Sequence, residues 1–192
     1  MIKTENFEKI EIESSDQLRK WLMKNYHIQD SVWLVTYKKT EREKYVSRDE
    51  VLDELLCFGW IDGIRRKLDD TRTMQLISPR KVQHWARSYK ERAEKLIKEE
   101  RMHKAGLDAI KAGKESGLWN FMDDVDKLIV PDDLQDALKK YEGASAFFDG
   151  INDSSKRFVL RWIKLAKTNK TRVNRIEKIA KLSSIGEKLP GS

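Results

Sequence analysis

Residues 57–80 read Cys57-Phe-Gly-Trp-Ile-Asp-Gly-Ile-Arg-Arg-Lys-Leu-Asp-Asp-Thr-Arg-Thr-Met-Gln-Leu-Ile-Ser-Pro-Arg80, and they interrupt an otherwise helical pattern. The stretch holds two glycines, one tryptophan, three aspartates and four arginines, so no helix carries through it. Glycine supplies backbone freedom where a helix must stop, and proline withdraws a donor where a strand must end. The preceding helix should therefore close at Gly59. Trp60-Ile61 then reads as a short strand, Asp62-Gly63 as turn chemistry, and Met74 to Leu76 as one more strand before Ser78-Pro79 breaks it.

Upstream of this insertion the pattern mixes helix and strand. Phe7, Ile10 and Ile12 suit a short strand or an arm. Ser14 with Gln17 is a capping-box spacing that opens a helix to Tyr26, with Leu18, Trp21 and Leu22 on one face. Val32-Trp-Leu-Val-Thr-Tyr37 is dense in β-branched and aromatic residues, the composition of a buried strand. The charged run Lys38–Lys44 is its turn, and Tyr45-Val46 is expected to return as a second short strand. Ser47 with Glu50 forms another capping box, ahead of Val51, Leu52, Leu55, Leu56 and Phe58.

Downstream the spacing is helical throughout. One helix is expected over Gln83–Glu100 with Trp85, Tyr89, Ala93, Leu96 and Ile97 as its apolar stripe, and another over Met102–Ala112. After the acidic connector Asp123–Asp126, Pro131 starts a helix bearing Leu134, Leu138 and Tyr141, which ends at Gly143. A short helix follows over Ala144–Phe148. A longer one over Ser154–Lys167 should bury Phe158, Trp162, Leu165 and Ala166. The last carries Val173, Ile176, Ile179 and Ala180, and Gly186 to Ser192 is expected to fray. The fold class is α+β: a small mixed N-terminal half with few short strands, followed by an all-helical C-terminal region. The expected boundaries are 1–125, 126–185 and a tail at 186–192.

Composition narrows the function classes. Charged residues make up 37% and hydrophobic ones 39%, the profile of a soluble globular chain. No apolar run approaches the ~20 residues of a membrane span, and the N-terminus lacks a secretory core, so the expected compartment is cytoplasmic. The single cysteine, Cys57, forms no internal disulfide and reads as a buried thiol. Residues 151–192 hold 11 Lys and Arg against 3 Asp and Glu, whereas the first 150 hold 28 against 29. The net charge of +7 thus belongs to the C-terminal end.

Two places can carry function. In the first, Asp62, Arg65, Arg66, Asp70, Arg72 and Arg80 converge near Trp60, with His84 and Trp85 just beyond. Arginine forks suit a carboxylate or phosphate, aspartates orient them, and a tryptophan offers a stacking face. A small anionic ligand or peptide is the implied partner. The same residues also suit an ion-pair network tying a loop to the core. Asp62 and His84 together would be the acid–base pair of an unrecognised enzyme. In the second place, Lys164, Lys167, Lys170, Arg172, Arg175 and Lys178 cluster around a turn between two helices, which suits nucleic-acid phosphates or a solvated basic face. His27, His84, His103 and Cys57 show no metal-ligand spacing, so no metal is expected. Nucleophile elbow, phosphate loop and dinucleotide fingerprint are all missing, so no cofactor is expected and a binding protein is favoured over an enzyme.

Taken in order, Phe58-Gly-Trp-Ile-Asp-Gly63, Leu68-Asp69, Ser78-Pro-Arg80, Arg101-Met-His103, Ala105-Gly106, Val130-Pro-Asp-Asp-Leu134, Ala166-Lys167 and Thr171-Arg172 resemble the YdeI/OmpD-associated family, also called bacteriocin-protection proteins. The similarity spans about residues 15–185, with Pro131–Leu182 similar to the family's helical C-terminal domain. The resemblance implies a bacterial cytoplasmic protein linked to tolerance of bacteriocins or cationic antimicrobial peptides, and implies no catalytic mechanism. The chain departs from the family pattern after Ser-Pro-Arg, with Ala86 and Tyr89 where members usually carry Ser and Asn.

Overall fold

The computed structural model describes residues 6–81 and 83–190. The chain divides into two compact units, residues 1–120 and 121–192. Of the N-terminal arm and the C-terminal tail expected from sequence, residues 1–5 and 191–192 lie outside the described residues.

The first unit is a mixed four-stranded sheet covered by helices. Its strands β1 (Lys9–Glu11), β2 (Val32–Tyr37), β3 (Trp60–Lys67) and β4 (Arg72–Pro79) lie in the order β1-β2-β4-β3. β1 pairs with β2 in parallel, and β4 pairs antiparallel with both β2 and β3. The register places Val32 opposite Ile77 and Leu34 opposite Gln75, so one sheet face presents Val32, Leu34 and Ile77 to the core. Helices α1 (Ser15–Asn25), α2 (Arg48–Cys57), α3 (Arg87–Lys98) and α4 (Lys104–Glu115) add Leu18, Leu22, Leu55, Leu56, Leu96 and Ile110 to the same cluster. Each such fully buried side chain contributes about 1.5–3 kcal/mol relative to exposure.

The caps read from sequence are in place. Ser14 Oγ accepts from Gln17 N at 3.2 Å, and Ser47 and Glu50 form a reciprocal capping box at the start of α2. Gly59 has φ +72°, the left-handed conformation in which glycine alone escapes a Cβ penalty, and it ends α2 as expected.

The hairpin differs from expectation. β3 and β4 are two eight-residue strands of one ribbon, and the turn lies at residues 68–71, not at Asp62-Gly63. Asp69 decides it. Its Oδ1 accepts from Thr71 N at 2.9 Å and Arg72 N at 2.7 Å, while Oδ2 accepts from Arg72 Nε at 2.8 Å. This side chain supplies the turn's missing hydrogen bonds. Asp62-Gly63 is absorbed instead as an irregularity of β3, where the register shifts between Asp62 and Arg65. Tyr45-Val46 forms no strand, although Val46 is buried. α3 starts at Arg87 because residues 83–86 form an extended link, tied down where Trp85 N donates to Leu118 O at 3.1 Å.

The second unit is helical among its described residues: α5 (Asp123–Asp126), α6 (Asp132–Lys139), α7 (Ala144–Gly150), α8 (Asp153–Lys164) and α9 (Asn169–Ser184). Its core joins Leu134, Leu138, Phe148, Val159, Leu160, Ile163, Ile176 and Ile179. The α8 stripe is turned from the expected one, with Phe158 47% and Leu165 40% exposed. α8 carries apolar residues on two neighbouring stripes at helical spacing, so periodicity alone does not choose between them. Val173 on α9 is likewise exposed. In the tail expected to fray, Leu189 is instead buried against this core.

Candidate functional site

The backbone of Arg80 is fixed where β4 ends: its N–H donates to Gly59 O at 2.8 Å, binding the end of the hairpin to the end of α2. From there the side chain lies over the Trp85 ring, its guanidinium carbon 3.7 Å from the centroid, with the Tyr89 ring 5.5 Å away. Nη2 donates to the His84 carbonyl at 3.2 Å. Nε and Nη1 are buried and have no acceptor. Among the described residues no carboxylate pairs with Arg80. Burial draws its pKa down to about 10, which still leaves a cation at neutral pH. A desolvated cation with two idle donors is costly, and native structures usually supply a partner.

A cavity of about 70 Å³ opens beside this group. The extended link contributes Arg80, Lys81, Gln83 and Trp85 to its wall. Facing them, Ala109, Ala112 and Gly113 of α4, with its C-cap Ser116 and Leu118 beyond, complete the lining. Ala109, Ala112, Gly113 and Ser116 recur at i, i+3, i+4 and i+7, so this face of the helix end is stripped to small side chains. A Cβ on Gly113 would lie 2.4 Å from Trp85 Nε1, so glycine is what lets the indole seat against the helix. No acidic side chain lines the cavity.

On the other side of Arg80 sits a polar relay. Asp62 accepts a hydrogen bond from the Tyr89 hydroxyl and a second from Gln75 Nε2 at 3.0 Å. Gln75 Oε1 accepts from Arg65 Nη2 at 2.8 Å, and Arg48 Nη2 lies 3.9 Å from Asp62. Burial, then the bond to Asp62, holds the Tyr89 hydroxyl well above its ordinary value, so it stays protonated. Tyr89 thus occupies the carboxylate of Asp62 with its hydroxyl while presenting its ring to Arg80.

The structure brings together Asp62, Arg65, Arg80 and Trp85 of the residues expected from sequence, together with the backbone of His84. The others lie elsewhere. Trp60 is fully buried, edge-on to Trp21 at 5.6 Å, and offers no face to a ligand. Arg66 lies over Trp33 at 5.3 Å. Asp70 is exposed at the hairpin tip and pairs with Lys67 at 2.7 Å. Arg72 is taken up by Asp69 and Glu11, each at 2.7 Å. Tyr89, Gln75, Gln83 and the small face of α4 were not singled out from sequence as site residues. Only the spacing of Ala109, Ala112, Gly113 and Ser116 hinted at the last.

The basic cluster of the second unit is largely committed. Lys164 pairs with Asp124, and Arg172 grips Asp133 with Nε at 2.7 Å and Nη2 at 2.9 Å. Arg175 donates to the Trp162 carbonyl and lies 4.9 Å from that ring. Lys167, Lys170 and Lys178 are exposed. A further polar network, in the first unit, is internally satisfied: Glu54 accepts from Arg19 and Arg101, and Asp53 from Arg92 and Arg101. Beside it the buried Cys57 thiol is pushed up to about 11 by burial. Among the described residues no cluster of three metal-ligating side chains forms, and no helix is long and apolar enough to cross a membrane.

Two family models match the chain. Residues 10–109 match the model of a domain of unknown function (DUF8412). Residues 127–186 match the model described as bacteriocin-protection, YdeI or OmpD-associated. No curated protein and no solved structure matches the chain.

Proposed function

The chain belongs to the family of the domain of unknown function DUF8412 over residues 10–109 and to the bacteriocin-protection, YdeI or OmpD-associated family over residues 127–186, and from that premise we propose that it is a cytoplasmic binding protein for a small anion. The second family ties the chain to a bacteriocin-protection-related function at family level. The finer reading is stress tolerance exercised through a ligand seated at Arg80. One observation carries it: Arg80 is a half-buried cation whose Nε and Nη1 are buried without an acceptor, beside a cavity that no carboxylate lines. Binding fits better than catalysis, because Asp62 is held by Tyr89 and Gln75 and is committed to orienting its neighbours. An anion pocket also fits better than a nucleic-acid surface, because Lys164, Arg172 and Arg175 are engaged within the second unit.

A thermal-shift panel of inorganic and organic anions at fixed ionic strength tests the reading. A ligand that binds only the folded state raises the melting temperature, with the logarithm of its concentration once it exceeds Kd. At least one anion should stabilise the wild type and leave Arg80→Ala unmoved. An equal rise in both proteins, or no rise with any anion, would overturn it.

A further inference from the structure

We infer that the cavity beside Arg80 takes a short-chain monocarboxylate, with the carboxylate on Arg80 and the alkyl tail against α4. The inference rests on the anion-binding reading above and adds the class of ligand to it.

The lining has two chemically different halves. Arg80, Lys81 and Gln83 supply cations and an amide on the side of the link. Ala109, Ala112, Gly113 and Leu118 supply small apolar surface on the other side, and the Trp85 ring closes the floor. A ligand that satisfies both halves needs an anionic head joined to an apolar body. Inorganic phosphate or sulfate would answer the cations and leave the apolar half facing an ion that gains nothing from it. Charge points the same way. Lys81 is exposed, so the charge that lacks solvent at the cavity is the Arg80 guanidinium, and one negative charge neutralises it. Asp62 is not part of the cavity wall, and its carboxylate is engaged by the Tyr89 hydroxyl and Gln75 Nε2.

Size sets the upper limit. A water needs about 10–15 Å³ of such space, so a cavity of about 70 Å³ holds a carboxylate and a few carbons. Nucleotides and peptides do not fit inside it.

Titration of the full chain with sodium acetate, propionate, butyrate, hexanoate, phosphate and sulfate, at constant ionic strength, tests the class. Affinity should rise about fourfold per methylene from acetate to butyrate, as burial of each methylene dictates, and fall at hexanoate once the cavity is full. Phosphate and sulfate should bind more weakly than butyrate. Ala109→Leu, which fills the apolar half, should lose the gain in affinity with chain length. Ala112→Leu at the exposed rim serves the same purpose if the first variant does not fold. Arg80→Gln should lose every anion. Affinity independent of chain length, or phosphate tighter than butyrate, with the dependence on Arg80 intact, overturns the carboxylate class and leaves the anion site standing. Binding that survives Arg80→Gln, or no binding by any of the six salts, overturns both.

Discussion

Arg80 rests its guanidinium on the ring of Trp85, 3.7 Å from carbon to centroid, while its Nε and Nη1 meet no acceptor. The stack orients the cation, and two of its buried nitrogens find no acceptor within the folded chain. A side chain held so firmly and bonded so poorly is arranged for something other than its own neighbours. The first unit therefore offers a ligand a charge whose desolvation has already been incurred in folding.

Replacing Arg80 should then cost the empty protein little. Arg80→Met keeps the packed stem, removes an uncompensated buried charge and gives up a cation–π contact. These effects oppose each other and should leave stability within about 1.5 kcal/mol of the wild type. Urea unfolding measures the difference. A loss beyond about 3 kcal/mol would make Arg80 a structural residue, as expected when a buried paired charge is broken.

Glu54 should behave in the opposite way. Its side chain is 6% exposed and accepts from Arg19 and Arg101, both at 2.8 Å. Glu54→Ala leaves Arg19 without a carboxylate while Arg101 keeps Asp53 and Glu99, and both arginine side chains are about a third exposed, so the penalty softens to about 2–3 kcal/mol. Equilibrium unfolding checks this, and a change under about 1 kcal/mol would mean the network is solvated in practice.

Cys57 gives the first unit an alkaline limit. The thiol ionises near 9.0 when unfolded and at about 11 when folded, because burial opposes the thiolate. Between those values the unfolded chain has released a proton that the folded chain keeps. Stability is therefore whole below pH 9 and falls as pH climbs to about 11, by roughly 2–3 kcal/mol. Denaturant midpoints of wild type and Cys57→Ala should converge across that window. Parallel profiles would refute the assignment.

The second unit makes a prediction about nucleic acid. With Lys164, Arg172 and Arg175 engaged, the exposed Lys167, Lys170 and Lys178 set the phosphate contacts at about three, which gives a log–log salt slope no steeper than about −3 on duplex DNA. A slope near −6 would show that the internal pairs open to bind phosphate.

Some of this was legible in the sequence and some was not, for identifiable reasons. Ser14, Ser47 and Gly59 announced helix ends because a cap depends on one side chain and its immediate neighbours. The hairpin turn was ambiguous because Asp62-Gly63 and Asp69-Asp70 carry similar local chemistry. Only pairing along the whole of β4 selects the second. Trp60 looked like a ligand platform because an aromatic ring suits core and site equally, and the difference is burial, which spacing does not encode. The α8 stripe was misplaced because two stripes on that helix share the helical period. The pocket is not legible in the sequence because half of it is an absence of side chain, at Ala109, Ala112 and Gly113, on a helix about 30 residues beyond Arg80.

The side-chain Nε–H of Arg80 reports on the central claim most directly. Buried without an acceptor, it should give a resolvable nitrogen–proton resonance, assigned by its loss in Arg80→Gln. Titration with sodium butyrate should move that resonance downfield and saturate as the carboxylate becomes its acceptor. A resonance that stays in place through the titration would contradict an anion site at Arg80.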